Sequence, residues 1–173
     1  MQRPTPRRPV PPLTFQLTDG RTFDIHDRKP EHFTMLVVYR GHHCPLCRKQ
    51  LEEFERLHDD YAKLGVELVA VSANDGELAN RTTAEWGLSK LPVGHGLTLD
   101  DARTWGLFGS AAIKPTEPEH FVEPGLFVIR PDGTLYASVT QTMPFSRPTG
   151  AQLLSSLTWI IENDYPARGE AEL

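Results

Sequence analysis

No apolar stretch of this sequence is long enough to span a membrane. Basic residues open the chain, in Met1-Gln-Arg-Pro-Thr-Pro-Arg-Arg-Pro-Val-Pro-Pro12, but no apolar core follows them, so no secretory signal is read there. Positive charge is not in excess either. A net charge of −5 gives no reason to expect a nucleic-acid partner. No internal repeat is visible. Cysteine is scarce: Cys44 and Cys47 are the only two in 173 residues. These absences lead us to expect a cytoplasmic protein with neither a nucleic-acid nor a membrane partner. The length suits one domain with a real core.

What is present is organised around the two cysteines. An apolar run, Phe33-Thr-Met-Leu-Val-Val-Tyr39, leads into Tyr39-Arg-Gly-His-His-Cys-Pro-Leu-Cys-Arg48, and an amphipathic pattern follows from Leu46 to Leu64. The Cys-x-x-Cys therefore sits where a buried strand hands over to a helix. Residues three apart on a helix share a face, with Cβ atoms about 5–6 Å apart, close enough for a disulfide to form and break with little backbone movement. Pro45 suits the first helical position. The helix N-terminus places partial positive charge and free N–H groups near Cys44. Arg40, His42, His43, Arg48 and Lys49 add positive charge nearby in sequence. All of this favours thiolate over thiol. As a mere staple the pair would contribute little, since a four-residue loop is worth about 2 kcal/mol. A Cys-x-x-Cys beside a β–α–β pattern in a cytoplasmic chain reads as a redox motif.

Along the chain, residues 1–12 read as a Pro-rich, extended and poorly ordered tail. Leu13-Thr-Phe-Gln-Leu17 and Arg21-Thr-Phe-Asp-Ile25 flank Thr18-Asp-Gly20 as a β-hairpin. The helix after the cysteines buries Leu46, Leu51, Phe54, Leu57, Tyr61 and Leu64, and Gly65 ends it. Val66-Glu-Leu-Val-Ala-Val-Ser72 is a second buried strand. Asn74 or Asp75 caps a helix to about Leu88, and Thr98-Leu-Asp-Asp101 opens a short one. Residues 109–124 read as a long loop. Gly125–Ile129 and Thr134–Val139 form a second hairpin, and Thr149-Gly-Ala-Gln152 caps the last helix. Trp86, Trp105 and Trp159 are read as core. Residues 13–166 form the domain, and 167–173 a frayed polar tail.

This order resembles the thioredoxin fold: an α/β protein with a central mixed β-sheet flanked by helices and an N-terminal β-hairpin. More narrowly, the Tyr39–Arg48 motif, Glu123-Pro-Gly-Leu-Phe-Val-Ile-Arg-Pro-Asp-Gly-Thr134 and Pro144-Phe-Ser-Arg-Pro148 resemble the peroxiredoxin-like branch of the alkyl hydroperoxide reductase / thiol-specific antioxidant superfamily. The resemblance covers about residues 12–166. It implies an antioxidant or thiol–disulfide oxidoreductase in which Cys44 is the nucleophile and Cys47 resolves the intermediate. It further implies no cofactor, a disulfide or peroxide substrate, a thiol reductant such as thioredoxin or glutathione, and room for an oligomer.

The departures sharpen these expectations. Peroxiredoxins carry Pro-x-x-x-Thr/Ser-x-x-Cys. Aligned on Cys44, this chain has Val37 and Gly41 there; aligned on Cys47, it has Arg40 and Cys44. Pro124 replaces the peroxidase arginine and matches instead the cis-proline of thioredoxins. His43 replaces the thioredoxin tryptophan, and Val38 its buried acid. His42 and His43 are candidates for moving protons, Glu123 for the missing acid that deprotonates Cys47, and Arg147 for positive charge at the thiols. Two other readings stand beside catalysis. Cys44, Cys47 and His43 could bind Cu(I), or with a fourth ligand Zn(II); or the disulfide could switch an interaction module.

Overall fold

The computed structural model describes residues 3–171. The elements run β1 (Thr14–Leu17), β2 (Thr22–Asp24), β3 (Phe33–Val38), α1 (Pro45–Lys63), β4 (Val66–Val71), α2 (Gly76–Glu85), β5 (Val93–His95), α3 (Leu99–Thr104), β6 (Gly109–Ala111), β7 (His120–Val122), β8 (Gly125–Ile129), β9 (Leu135–Thr140) and α4 (Gly150–Glu162). Seven strands form one mixed sheet in the order β2-β1-β5-β4-β3-β8-β9. β3, β4 and β5 are parallel neighbours, and β8 joins β3 antiparallel. This is the expected α/β architecture with its N-terminal hairpin.

Strand periodicity explains why the central strands are apolar throughout. Successive side chains point to opposite faces, and both faces here are covered. Met35, Val37 and Tyr39 join Leu68, Ala70, Leu126 and Val128 in a core completed by Leu51 and Phe54 of α1 and Leu157 of α4. Leu36 and Val38 join Val69, Val71, Phe127 and Ile129 in a second core, with Phe15, Ala102 and Trp105. A strand covered on both sides reads as a continuous hydrophobic run rather than an alternation. No helix among the described residues is long and apolar enough to cross a membrane.

The helix caps follow the sequence closely. Asp75 caps α2 through Leu78 N–H, while Thr98 and Thr149 make reciprocal capping boxes with Asp101 and Gln152. Gly65 follows the α1 C-cap at φ +75°, where a side chain would be strained.

Four expectations need correction. Residues 109–124 are not all loop: β6 and β7 pair antiparallel, Gly109 opposite Val122 and Ala111 opposite His120. Pro115 and Pro118 fall in the tip between them, where no ladder hydrogen bond is lost. The Pro-rich segment, described from Arg3, is docked rather than loose. Arg7 and Val10 donate their N–H groups to Leu135 and Gly133, and Leu135 donates back to Arg8. The prolines, lacking N–H, fit this edge because their neighbours supply the donors. Met1 and Gln2 lie outside the described residues. The C-terminal segment is likewise held, Ala167 being buried with its carbonyl accepting Arg7 Nε at 2.9 Å; Glu172 and Leu173 lie outside the described residues. Finally, Trp159 is exposed whereas Trp86 and Trp105 are core. Leu157 occupies the inward face of α4, and Trp159 lies instead against Tyr165, with ring centroids 5.4 Å apart.

Candidate active site

β3 ends and α1 begins with the two cysteines between layers of core. Cys44 is the N-cap of α1 in extended conformation, with Pro45 at the first helical position. Its Sγ accepts the Cys47 N–H at 3.2 Å, closing the first turn as a capping oxygen would. Cys47 lies one turn inside and is fully buried, and Cys44 is only 3% exposed. Both are free thiols. The Cys47 sulfur accepts the Arg40 N–H at 3.4 Å.

Arg147 completes the pair. Its Nη1 reaches Cys47 Sγ at 3.1 Å and its Nη2 reaches Cys44 Sγ at 3.6 Å. Gln50, one turn beyond Cys47 on α1, holds the arginine segment. It accepts from Arg147 at 3.5 Å and donates to the Pro148 carbonyl at 3.2 Å. Tyr61 and Glu53 anchor the start of α4, the first donating to the Gly150 carbonyl and the second accepting the Ala151 N–H. The arginine is thus presented by a segment tied to the same helix that carries the thiols.

The two sulfurs are driven apart in acidity. A hydrogen bond from the Cys47 thiol, helped by the Cys47 N–H and the Arg147 guanidinium, outweighs burial and brings the Cys44 pKa down to about 5. Burial, and next the Cys44 sulfur itself, push the Cys47 thiol well above its ordinary range. These directions favour the thiolate on Cys44 and the proton on Cys47.

The other candidates divide. His43 lies beside the site, its ring edge-on to Phe121 at 5.0 Å. Neither of its ring nitrogens has a partner, and burial, with Arg40 adding to it, lowers its pKa and keeps it neutral. His42 faces away. Its N–H donates to Asn74 Oδ1 at 2.7 Å, and its ring reaches Thr82 and Glu85 while stacking on Trp86. His42 is a strut to α2. Glu123 is buried at the site, but it binds Ser110 at 2.6 Å and Arg40 at 3.5 Å, not Cys47. Because the Arg40 N–H meets the Cys47 sulfur while its guanidinium holds Glu123, the carboxylate reaches Cys47 only through Arg40, and the expected direct base is corrected.

Pro124 also departs from expectation. Among the described residues no peptide bond is cis. Residues 123 and 124 link β7 of the two-stranded sheet to β8 of the seven-stranded sheet through trans bonds. The three-ligand set of Cys44, Cys47 and His43 is not assembled among the described residues, and a guanidinium already faces both sulfurs.

Two residues that matter were not singled out for this role from sequence. Gln50 carried only the weak signal of lying three positions after Cys47. Asn74, read as a possible helix cap, is buried and instead props the cysteine loop. Its carbonyl accepts Gly96 N–H, and its carboxamide presses on Gly41, which adopts φ +131°.

Known proteins match this chain over most of its length. Residues 6–138 match the AhpC/TSA family. The thiol–disulfide oxidoreductase ResA of Halalkalibacterium halodurans is 33% identical over 92 residues, 52% of each chain. The match thus spans about half the length of that relative. Among solved structures, peroxidoxin BcpB from Mycobacterium tuberculosis superposes with TM-score 0.74 at 16% identity, covering 92% of this chain and 99% of its own. A peroxiredoxin-like protein from Aquifex aeolicus gives 0.73 at 11% identity, covering 92% and 90%. These structures share the fold.

Proposed function

The chain belongs to the AhpC/TSA family, and on that premise we propose that it is a thiol-dependent oxidoreductase cycling between the Cys44–Cys47 dithiol and its disulfide. The observation that carries this reading is the division of labour between the sulfurs. Cys44, made more acidic, has its sulfur on the Cys47 N–H at the helix start and within reach of Arg147, and Cys47, made less acidic, lies one turn away. A nucleophile and its resolving partner need this asymmetry.

With a disulfide, the Cys44 thiolate attacks one sulfur, forming a mixed disulfide and expelling the other sulfur as thiolate. Cys47 then loses its proton and attacks the Cys44 sulfur, forming Cys44–Cys47 and releasing the second thiol. With a hydroperoxide, Cys44 takes the distal oxygen and becomes sulfenic acid while an alcohol or water leaves. Cys47 then displaces that oxygen as water. Two thiol equivalents from a reductant close either cycle. Arg147 stabilises the thiolate before attack. Once Cys44 has been consumed, the loss of its negative charge removes one of the causes that held the Cys47 proton.

The test is a trapping experiment. The reduced protein is mixed with hydrogen peroxide or with hydroxyethyl disulfide, and its intact mass is read without reductant. The wild type is expected to lose two hydrogens. Cys47→Ser is expected to stop at a sulfenic acid or mixed disulfide on Cys44, and Cys44→Ser to react with neither. An adduct on Cys47 in the Cys44→Ser protein would reverse the roles.

A further inference from the structure

An extended polypeptide binds an enzyme by pairing with free backbone groups at a strand edge. Near the thiols, the stretch that links β7 to β8 offers no such free groups, because β8 is paired on both sides and the link's own groups are taken up within the chain. The Glu123 N–H donates to Phe108 O at 2.7 Å, Pro124 has no N–H, and the Pro124 carbonyl accepts Gln141 N–H at 3.3 Å. Pro124 faces Gln50 and Pro148 across a narrow cleft of only about 10 Å³.

The β6–β7 hairpin closes the same side. The Phe121 ring lies under both His43 and Arg40, 5.0 Å from the imidazole and 4.5 Å from the Arg40 Cζ. Ser110 latches β6 to Glu123 at 2.6 Å. The tip keeps its own shape, Glu117 accepting Ile113 N–H at 2.9 Å. From another side Arg147 crosses both sulfurs, and Cys44 is left 3% exposed.

We propose that the β6–β7 hairpin is a size filter, admitting hydroperoxides and low-molecular-weight disulfides to Cys44 and excluding the disulfides of folded polypeptides. This deepens the redox reading and rests on it. An approaching folded chain meets the hairpin before its sulfur can align with Cys44, and misplaced reacting atoms lose rate steeply. Thiol–disulfide exchange is reversible through one mixed disulfide, so the filter selects a low-molecular-weight thiol as reductant by the same sterics.

The test compares hydrogen peroxide, hydroxyethyl disulfide and insulin as oxidants of the reduced protein, with dithiol loss followed by quenching and mass spectrometry. Two variants accompany the wild type. One replaces residues 112–119 with an Asn-Gly turn, which suits the opposed Ala111 and His120. The other is Ser110→Ala, which removes only the latch. The wild type is expected to react with hydroxyethyl disulfide about a hundredfold faster than with insulin, the scale of loss that misplacement produces. The shortened hairpin is expected to raise the insulin rate about tenfold and leave the small-disulfide rate unchanged, and Ser110→Ala to move the same way by less. Glutathione is expected to re-reduce the oxidised protein faster than thioredoxin. Equal wild-type rates with insulin and the small disulfide would overturn the filter alone. So would folded variants, by circular dichroism, whose insulin rate does not rise. Inertness to all three oxidants would overturn the redox reading and the filter with it.

Discussion

Arg147 donates to the buried Cys47 sulfur at 3.1 Å from a position one hundred residues further along the chain. The same guanidinium reaches Cys44 at 3.6 Å, so one cation serves both sulfurs. Other cations near the thiols in sequence are otherwise engaged: Arg48 pairs with Glu52, and Arg40 with Glu123. Arg147→Met is therefore expected to raise the Cys44 pKa from about 5 by roughly one to two units, since a hydrogen bond to a charged group is worth about 1.5–3 kcal/mol. Gln50→Ala is expected to move it the same way by less, and to add nothing in the Arg147→Met background, because it acts through Arg147. The pH profile of iodoacetamide alkylation measures all three. Near pH 5–6 the wild type should react faster than Arg147→Met, the difference shrinking as pH rises past the variant's pKa. An additive Gln50 effect would show a separate route.

The divided acidities also set how the reduction potential varies with pH. Above about pH 5 the reduced pair holds one proton, on Cys47, so reduction takes up two electrons and one proton. The potential should then fall by about 30 mV per pH unit. Below that pH Cys44 is protonated too, and the slope should steepen to about 60 mV per unit. Equilibration with a glutathione or dithiothreitol buffer across pH 4–8 would locate the break. A single steep slope through neutrality would mean that Cys44 is not a thiolate there.

Folding stability of the reduced protein should follow the same proton. The Cys44 thiol titrates near 8.5 in an unfolded chain and about 5 in the folded one. A depressed acid contributes stability that is fully present above the unfolded pKa and lost as pH falls through the folded value. Cys47, shifted the other way, stays protonated in the folded state, and its unfolded thiol begins to ionise only toward pH 8, so it opposes the trend little through this window. Urea unfolding is therefore expected to show the gap between reduced wild type and Cys44→Ser widening from pH 5 to pH 8. A constant gap would contradict the depressed pKa.

Those features that depend on neighbours in sequence were legible before the structure. The two-sided apolar strands β3, β4 and β8, the hairpin at Asp19-Gly20 and the two capping boxes are local patterns, and each lies where it was read. The Cys44-Pro45 entry to α1 is local as well. What escaped depends on distant partners. Nothing around Asn74 reveals that Gly41 leans on it, and nothing around Arg40 reveals that Glu123 takes up its charge. The docking of Arg7 on Leu135 and Ala167 likewise joins the chain ends through contacts no periodicity encodes. Arg147 stood between these cases: its motif was visible, but its span across both sulfurs was not.

When the peroxiredoxin motif is aligned on Cys44, Gly41 takes the place of its hydroxyl residue, and the structure gives a reason why a glycine stands there. Its φ of +131° is open to glycine, and a Cβ there would come within 2.7–3.0 Å of the Asn74 carboxamide. Gly41→Ala is expected to cost about 1–3 kcal/mol, as backbone strain at a special conformation does. Asn74→Ala should cost about as much, because the His42 N–H loses its 2.7 Å acceptor in a partly buried place. Together the two are expected to cost less than their sum, since deleting the carboxamide also removes the clash and leaves only the backbone strain. Urea denaturation of the four proteins closes this cycle. Full additivity would place the burden of Gly41 in its φ alone, with Asn74 acting only as the acceptor for His42.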